Sequence, residues 1–178
     1  MASTTEENYL KALFNLSNSQ GEVNLSELAH SLQVSMPTAN SMVKSLQKSG
    51  WVDYEKYKPL QLTQAGQKEA ALIIRKHRLT EMFLVKKMGF GWEEVHEVAE
   101  QIEHIHAPKF FERMDDMLGH PTMDPHGSPI PDNQGRIKEF SYTPLSSCKP
   151  GQTVQLAALT NSSTEFLEFL NSRKLALG

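Results

Sequence analysis

Three short helical periods and then two strand-like runs around a basic tip fill the first 62 residues, and few folds accept that order. Glu6 to Leu16 places Tyr9, Leu10, Leu13, Phe14 and Leu16 on one helical face. Ser17 to Gly21 reads as a turn, and Ser26 to Leu32 as a short helix with Leu25, Leu28, Ala29 and Leu32 inward. After a tight connection at Val34-Ser35, Ser35 is a natural N-cap and Pro37 sits in a first turn, where its missing N–H costs nothing. Ala39, Met42, Val43 and Leu46 then recur at the helical period, and Gly50 is a natural stop. Trp51 to Tyr54 and Leu60 to Leu62 read as strands, with Lys56, Tyr57, Lys58 and Pro59 as the hairpin tip. Helix, helix, turn, helix and hairpin is the order of a winged helix-turn-helix, with Pro37 to Ser49 as its recognition helix.

Thr38, Asn40, Ser41, Lys44, Ser45 and Lys48 face outward on that helix. Short polar groups near its start suit base edges, and cations further on suit phosphates. A solvated helix face would carry a similar mix, but the basic, aromatic tip favours DNA. The expected DNA-contacting set is therefore Ser35, Pro37, Thr38, Asn40, Ser41, Lys44, Lys48, Lys56, Tyr57 and Lys58.

The formal net charge of −3 hides a segregation. Met36 to Arg78 holds eight basic residues against three acidic, a local +5, while Glu93 to Asp124 holds two against nine, a local −7. Six of the seven histidines lie between His77 and His126. The first part suits phosphate, and the second suits divalent cations, whose usual ligands are carboxylate oxygens and neutral imidazoles.

The acidic part reads as helices: Thr63 to Met88, Glu93 to His106, and Pro108 to about Leu118. Gly119 to Gly135 reads as loop, Val154 to Leu159 as a strand, and Thr164 onward as a short helix. His77 and Glu81 are i, i+4 and share a helix face. His96, Glu100, Glu103 and His104 form a stripe on the next helix. Carboxylates gathered on a partly buried stripe repel one another and lose hydration, and a cation removes both costs. An isolated His/Glu pair is more often a surface pair, whereas Glu100, Glu103 and His104 taken together with it point to metal.

These stretches together resemble the diphtheria toxin repressor family, which includes the manganese transport regulators. The resemblance rests on Thr4-Thr5-Glu6 through Tyr9-Leu10, Tyr54-Glu55-Lys56-Tyr57, Arg75-Lys76-His77-Arg78-Leu79, Glu100 with Glu103-His104, and Asp124-Pro125-His126-Gly127-Ser128-Pro129-Ile130-Pro131. It covers essentially the whole chain. It implies a mainly α chain with three parts: a winged helix-turn-helix over 1–66, a helical dimerisation and metal-binding part over 67–143, and an incomplete start of an SH3-like part over 144–178. It implies a cytoplasmic, homodimeric repressor of metal-uptake genes that binds palindromic operator DNA when loaded with Mn²⁺ or Fe²⁺, one or two ions per subunit. It implies a primary site of Asn8, Glu100, Glu103 and His104, an ancillary site of His77, Glu81 and His96, and an anion position at Arg78 and Ser128.

Departures accompany the match. Asn8 stands where the family has Met or Asp, with Glu7 beside it as a substitute ligand. Glu100 replaces the Cys of iron-type members and leans toward Mn²⁺, whereas Lys11 replaces a Glu of the two-metal manganese type. The third part's Glu and Gln ligands have no match in Leu156 to Asn161.

Two rivals are weighed. One is a winged-helix regulator that senses no metal. The other is a di-metal carboxylate enzyme, which needs ligand pairs on four helices, whereas the Glu-x-x-His pairs here lie on one. No apolar run reaches the roughly 20 residues of a membrane span. No leader is visible at the N-terminus, and the single Cys148 fits a reducing compartment. Neither a membrane nor a small organic substrate is expected as a partner.

Overall fold

The computed structural model describes residues 2–178. They form two compact units, one of residues 2–74 with 132–136 and one of residues 75–131 with 137–178. The sequence placed a boundary at 66 and a third part from 144, whereas the packing divides the chain after Ile74 and groups the C-terminal stretch with the second unit.

In the first unit, helix α1 (Thr4–Leu16) opens with Ser3, whose hydroxyl accepts from the Glu6 N–H while the Glu6 carboxylate accepts from the Ser3 N–H. Strand β1 (Glu22–Val23) leads into α2 (Leu25–Ser31), and α3 (Met36–Lys48) follows. The Ser35 hydroxyl caps α3 by accepting from the Thr38 N–H at 3.2 Å, with Pro37 in the first turn as expected. Strands β2 (Val52–Asp53) and β3 (Leu60–Leu62) form the hairpin. The antiparallel sheet has the order β1-β3-β2, pairing Val23 with Leu60 and Val52 with Leu62. Strand β1 was not expected, because two residues carry no periodicity. Leu10, Leu13, Leu28, Ala39, Val43, Leu46, Val52 and Leu60 are almost wholly buried, and Ala70 and Ile73 of α4 (Gln64–Phe83) complete this core.

Thr63 opens α4. Its hydroxyl accepts from the Gly66 N–H at 3.0 Å and donates to the Gly50 carbonyl at 2.7 Å, while its N–H bonds the Trp51 carbonyl. That carbonyl lies so close to Gly66 that a Cβ there would sit 2.0 Å from it. The helix start is thus clamped to the hairpin at a distance that only glycine permits.

In the second unit, the rest of α4 runs into a π-helical turn at Leu84–Met88 that ends at left-handed Gly89. Helix α5 spans Val95–Ile102, shorter than the expected 93–106. Residues 92–94 form a turn in which the Glu94 carboxylate accepts from the Gly91 N–H, and Glu103 is already the C-cap. Helix α6 (Pro108–Leu118) begins at Pro108 as expected, and Phe111, Met114, Leu79 and Ile130 form a second core. The strand expected over Val154–Leu159 is absent. No neighbouring strand pairs with it, and the segment is held instead by bonds such as Leu159 N–H to the His126 carbonyl. Between 144 and 178 the described elements are a single 3₁₀ turn, Leu145–Ser147, and helix α7, Thr164–Ser172. The expected start of an SH3-like part is therefore helix and coil, without strands among the described residues.

Replacing Gly66 with Ala tests the clamp. Ala is the better helix former by about 1 kcal/mol, yet the clash with the Trp51 carbonyl should leave the variant about 1–3 kcal/mol less stable in urea unfolding. A variant as stable as the parent would contradict this packing.

Candidate metal centre

His77, on α4, is the hub of the second unit. It is 7% exposed and lies between two buried carboxylates. Its Nδ1 is 2.5 Å from Glu103 Oε2 and its Nε2 is 3.0 Å from Glu81 Oε1, so α4 and the end of α5 meet on one imidazole. His96 Nδ1 lies 3.2 Å from His77 Nε2 and 3.5 Å from Glu81 Oε1. Its other nitrogen lies 3.6 Å from Glu100 Oε1. His104 Nε2 is 3.7 Å from Glu103 Oε1.

Within this network three overlapping groups hold ligand atoms within 4.8 Å of one another: His77, Glu81 and His96; His77, Glu100 and Glu103; and Glu81, Asp124 and His126. The first is the expected ancillary set, complete. The second brings together two members of the expected primary set, Glu100 and Glu103, with His77. Asn8, on α1, belongs to the first unit; its Oδ1 is buried and accepts no hydrogen bond among the described residues. Glu7 beside it is buried as well.

The third group was not anticipated. In the sequence Asp124 and His126 count toward the acidic charge and the family resemblance but not toward a ligand set, because their loop has no periodicity. Their one signal was the Asp-Pro-His-Gly-Ser-Pro run itself, whose turn the Asp124 Oδ1 builds by accepting from the N–H groups of His126 and Ser128 at 2.8 and 2.9 Å. Glu81 joins two groups, with Oε1 toward His77 and His96, and Oε2 3.8 Å from His126 Nδ1.

Arg78 donates to the Pro129 carbonyl and lies 3.6 Å from Asp124 Oδ2, while Ser128 uses its N–H on Asp124. The guanidinium expected to hold an anion is thus turned toward Asp124 in this arrangement.

Burial alone would lower the His77 pKa, but hydrogen bonds and charge from Glu103 and Glu81 outweigh it and raise the value to about 9. Burial would raise that of Glu81, but His77 and His96 bring it to about 2. Burial and the Glu81 charge push Asp124 up, against the Ser128 N–H that holds it down. The donor set is imidazole and carboxylate without sulfur, buried at His77, Glu81 and Glu103 and open to solvent at His96, which fits a divalent ion of the Mn²⁺ or Fe²⁺ kind.

On the DNA-binding side, Ser35, Pro37, Thr38, Ser41, Lys44 and Lys48 are exposed along α3, and Lys56, Tyr57 and Lys58 at the hairpin tip. Ser35 and Thr38 bond each other through their hydroxyls at 2.8 Å. Asn40 departs from expectation: it is half-buried, and its Oδ1 accepts from the Tyr54 hydroxyl at 2.7 Å. Tyr57 is 91% exposed in a left-handed conformation, with the Lys56 ammonium 4.8 Å from its ring centre.

Two family models match these two halves. Residues 1–60 match the iron dependent repressor N-terminal DNA binding domain, and residues 63–132 the iron dependent repressor metal binding and dimerisation domain. The iron-dependent repressor IdeR of Mycobacterium leprae is 31% identical over 159 residues, 89% of this chain and 67% of that protein. The chain belongs to the iron-dependent repressor family. This is a family of metal-dependent transcriptional repressors, not of enzymes. IdeR of Mycobacterium tuberculosis is 34% identical over 71% of this chain, which spans 55% of the length of that relative. A solved manganese-dependent transcriptional repressor in complex with manganese superposes with a TM-score of 0.85 at 34% identity, over 97% of this chain and 79% of the other. Among the described residues no helix is long and apolar enough to cross a membrane.

The two shifted pKa values fix a pH dependence for the metal-free protein. His77 is raised, so its contribution is complete below about 6.5 and is lost as pH climbs through about 9. Glu81 is lowered, so its contribution is complete above about 4.5 and is lost as pH falls through about 2. Thermal unfolding in the presence of chelator should therefore show a falling midpoint between pH 6.5 and 9. His77→Gln should flatten that fall, and a full fall in the variant would refute the assignment.

Proposed function

We propose that this chain is a metal-activated repressor that binds operator DNA as a homodimer when loaded with Mn²⁺ or Fe²⁺, in the cytoplasm, and controls metal-uptake genes. The observation that carries the reading is the convergence of His77, Glu81, His96, Glu100 and Glu103 on shared, mostly buried ground within the family's metal-binding domain. In the three-part division read from the sequence, 1–66 reads DNA, 67–143 holds metal and the partner subunit, and 144–178 is the start of a further part.

His77, Glu81 and His96 form the ancillary set, and Glu100, Glu103 and His104 the primary one, completed by Asn8 or Glu7. A bound ion supplies the positive charge that lets these carboxylates converge without repulsion. The His77 imidazole must release its proton to serve as a ligand, and Glu81 and Glu103 then lose the cation they share. Arg78 and Ser128 are the candidates for holding an anion beside the ancillary set. The metal-loaded arrangement must differ in free energy from the unloaded one by a few kcal/mol to shift DNA binding between off and on.

Ser41, Thr38 and Pro37 face base edges from α3, Lys44 and Lys48 reach phosphates, and Lys56, Tyr57 and Lys58 meet the backbone from the hairpin tip. Ile105, Phe110 and Met117 are exposed apolar residues around α6 suited to a second copy, whereas Phe111 and Met114 are committed to the core.

Selection from a randomised duplex pool, repeated with Mn²⁺, with Fe²⁺ under anaerobic conditions, and with chelator, tests the reading. Enrichment of a palindrome only with metal is expected, and equal enrichment with chelator would overturn it. Glu103→Ala and His104→Ala should each abolish the metal stimulation. If DNA affinity in those variants still rose with metal, the primary set would be misassigned. Lys44→Ala with Lys48→Ala should weaken binding to all sequences and reduce the slope of log affinity against log salt by about 2. An unchanged slope would remove them from the phosphate contacts.

A further inference from the structure

His126 is 5% exposed and lies between Trp92 and Glu81. Its ring Nε2 lies 2.8 Å from the Trp92 carbonyl, which can only accept, so Nε2 carries the proton. In the neutral ring the lone pair is then on Nδ1, the nitrogen that faces Glu81 Oε2. The Trp92 indole stacks on the same imidazole, with ring centres 6.1 Å apart and planes 16° from parallel.

Trp92 is itself held from the C-terminal stretch. Its indole N–H donates to Asn171 Oδ1 on α7 at 2.8 Å, and the Asn171 amide donates to Glu93 Oε2 at 3.0 Å. One side chain therefore pins residues 92 and 93 together. The same stretch touches the His126 backbone, through Leu159 N–H to the His126 carbonyl at 3.0 Å. Next door, Gly127 leaves so little space that a Cβ would come within 2.4 Å of the Ala157 carbonyl.

We infer that Asn171 is a positioning residue for a metal ligand. Through Trp92 it holds the His126 imidazole so that Nδ1 points into the group formed with Glu81 and Asp124, and α7 thereby sets the metal affinity of the second unit. The inference rests on the proposed metal-binding function. The Trp92 carbonyl supplies the outer hydrogen bond that fixes the tautomer and orientation of His126, a kind of bond whose loss typically costs ten- to a hundredfold in metal affinity, and Asn171 acts one step further out by holding Trp92.

The test is calorimetric titration of the full chain with Mn²⁺. Asn171→Ala removes the acceptor from α7, and Trp92→Phe keeps a ring over His126 while removing the indole N–H. Each leaves the Trp92 carbonyl in place but loosens it, and should weaken one class of Mn²⁺ site by up to about tenfold, the low end of the loss for an outer hydrogen bond. The indole-to-Asn171 bond is common to both, so the double variant should lose clearly less than the sum of the two single losses. Asn171→Gln, which keeps acceptor and donor, should recover most of the affinity. Because Asn171 is exposed, metal-free Asn171→Ala should unfold within a few degrees of the parent. Parent-like Mn²⁺ affinity in Asn171→Ala and Trp92→Phe, or strictly additive losses, would overturn the positioning role. If the parent itself bound neither Mn²⁺ nor Fe²⁺, the metal-binding function would fail first, and that result is distinguishable because no variant is needed to see it.

Discussion

A buried imidazole held between two buried carboxylates is expensive to desolvate, and the second unit is arranged around meeting that cost. His77 has no other way to be inside: at 7% exposure it needs Glu81 and Glu103, and each of them needs it. The arrangement joins α4 to the end of α5 by charge, beside the apolar cluster that Leu79, Phe83 and Ile102 share. Glu103 is the C-cap of α5, its backbone N–H bonded to the Ala99 carbonyl while its carboxylate is committed to His77. A divalent ion and the His77 proton compete for the same negative field.

The first unit is held on opposite terms. Its centre is aliphatic, and its polar groups act at edges: Ser3 and Ser35 at helix starts, Thr63 between hairpin and helix. Burial of Leu10, Leu13, Leu28, Leu46 and Leu60 removes apolar surface from water at about 25 cal/mol per Å². That driving force is insensitive to pH and metal. The contrast between the two units follows the charge segregation of the chain, basic around the recognition helix and acidic around the histidines.

What could be read from residues alone was whatever repeats. Helices α1, α3, α4 and α6 announced themselves by apolar period, caps and Pro108, and the grouping of His77, Glu81 and His96 by the i, i+4 spacing of the first two with His96 beyond. What could not be read depends on partners distant in sequence. Strand β1 exists because Glu22 and Val23 meet Gln61 and Leu60. The stretch Val154 to Leu159 has strand-like residues and no strand to pair with. Asp124 and His126 join Glu81 from more than 40 positions away, through a turn without periodicity.

The hydrogen bond between Tyr54 and Asn40 changes what the recognition helix can say. An asparagine that reads adenine does so with both ends of its amide, the oxygen accepting from the base's amino group while the nitrogen donates to N7. In this chain the oxygen is already engaged by the wing. The Asn40 oxygen keeps a second lone pair and the nitrogen both its hydrogens, but the amide plane is now fixed by the hairpin and no longer free to turn. The contact that braces the hairpin against the helix also sets the one direction in which that amide faces.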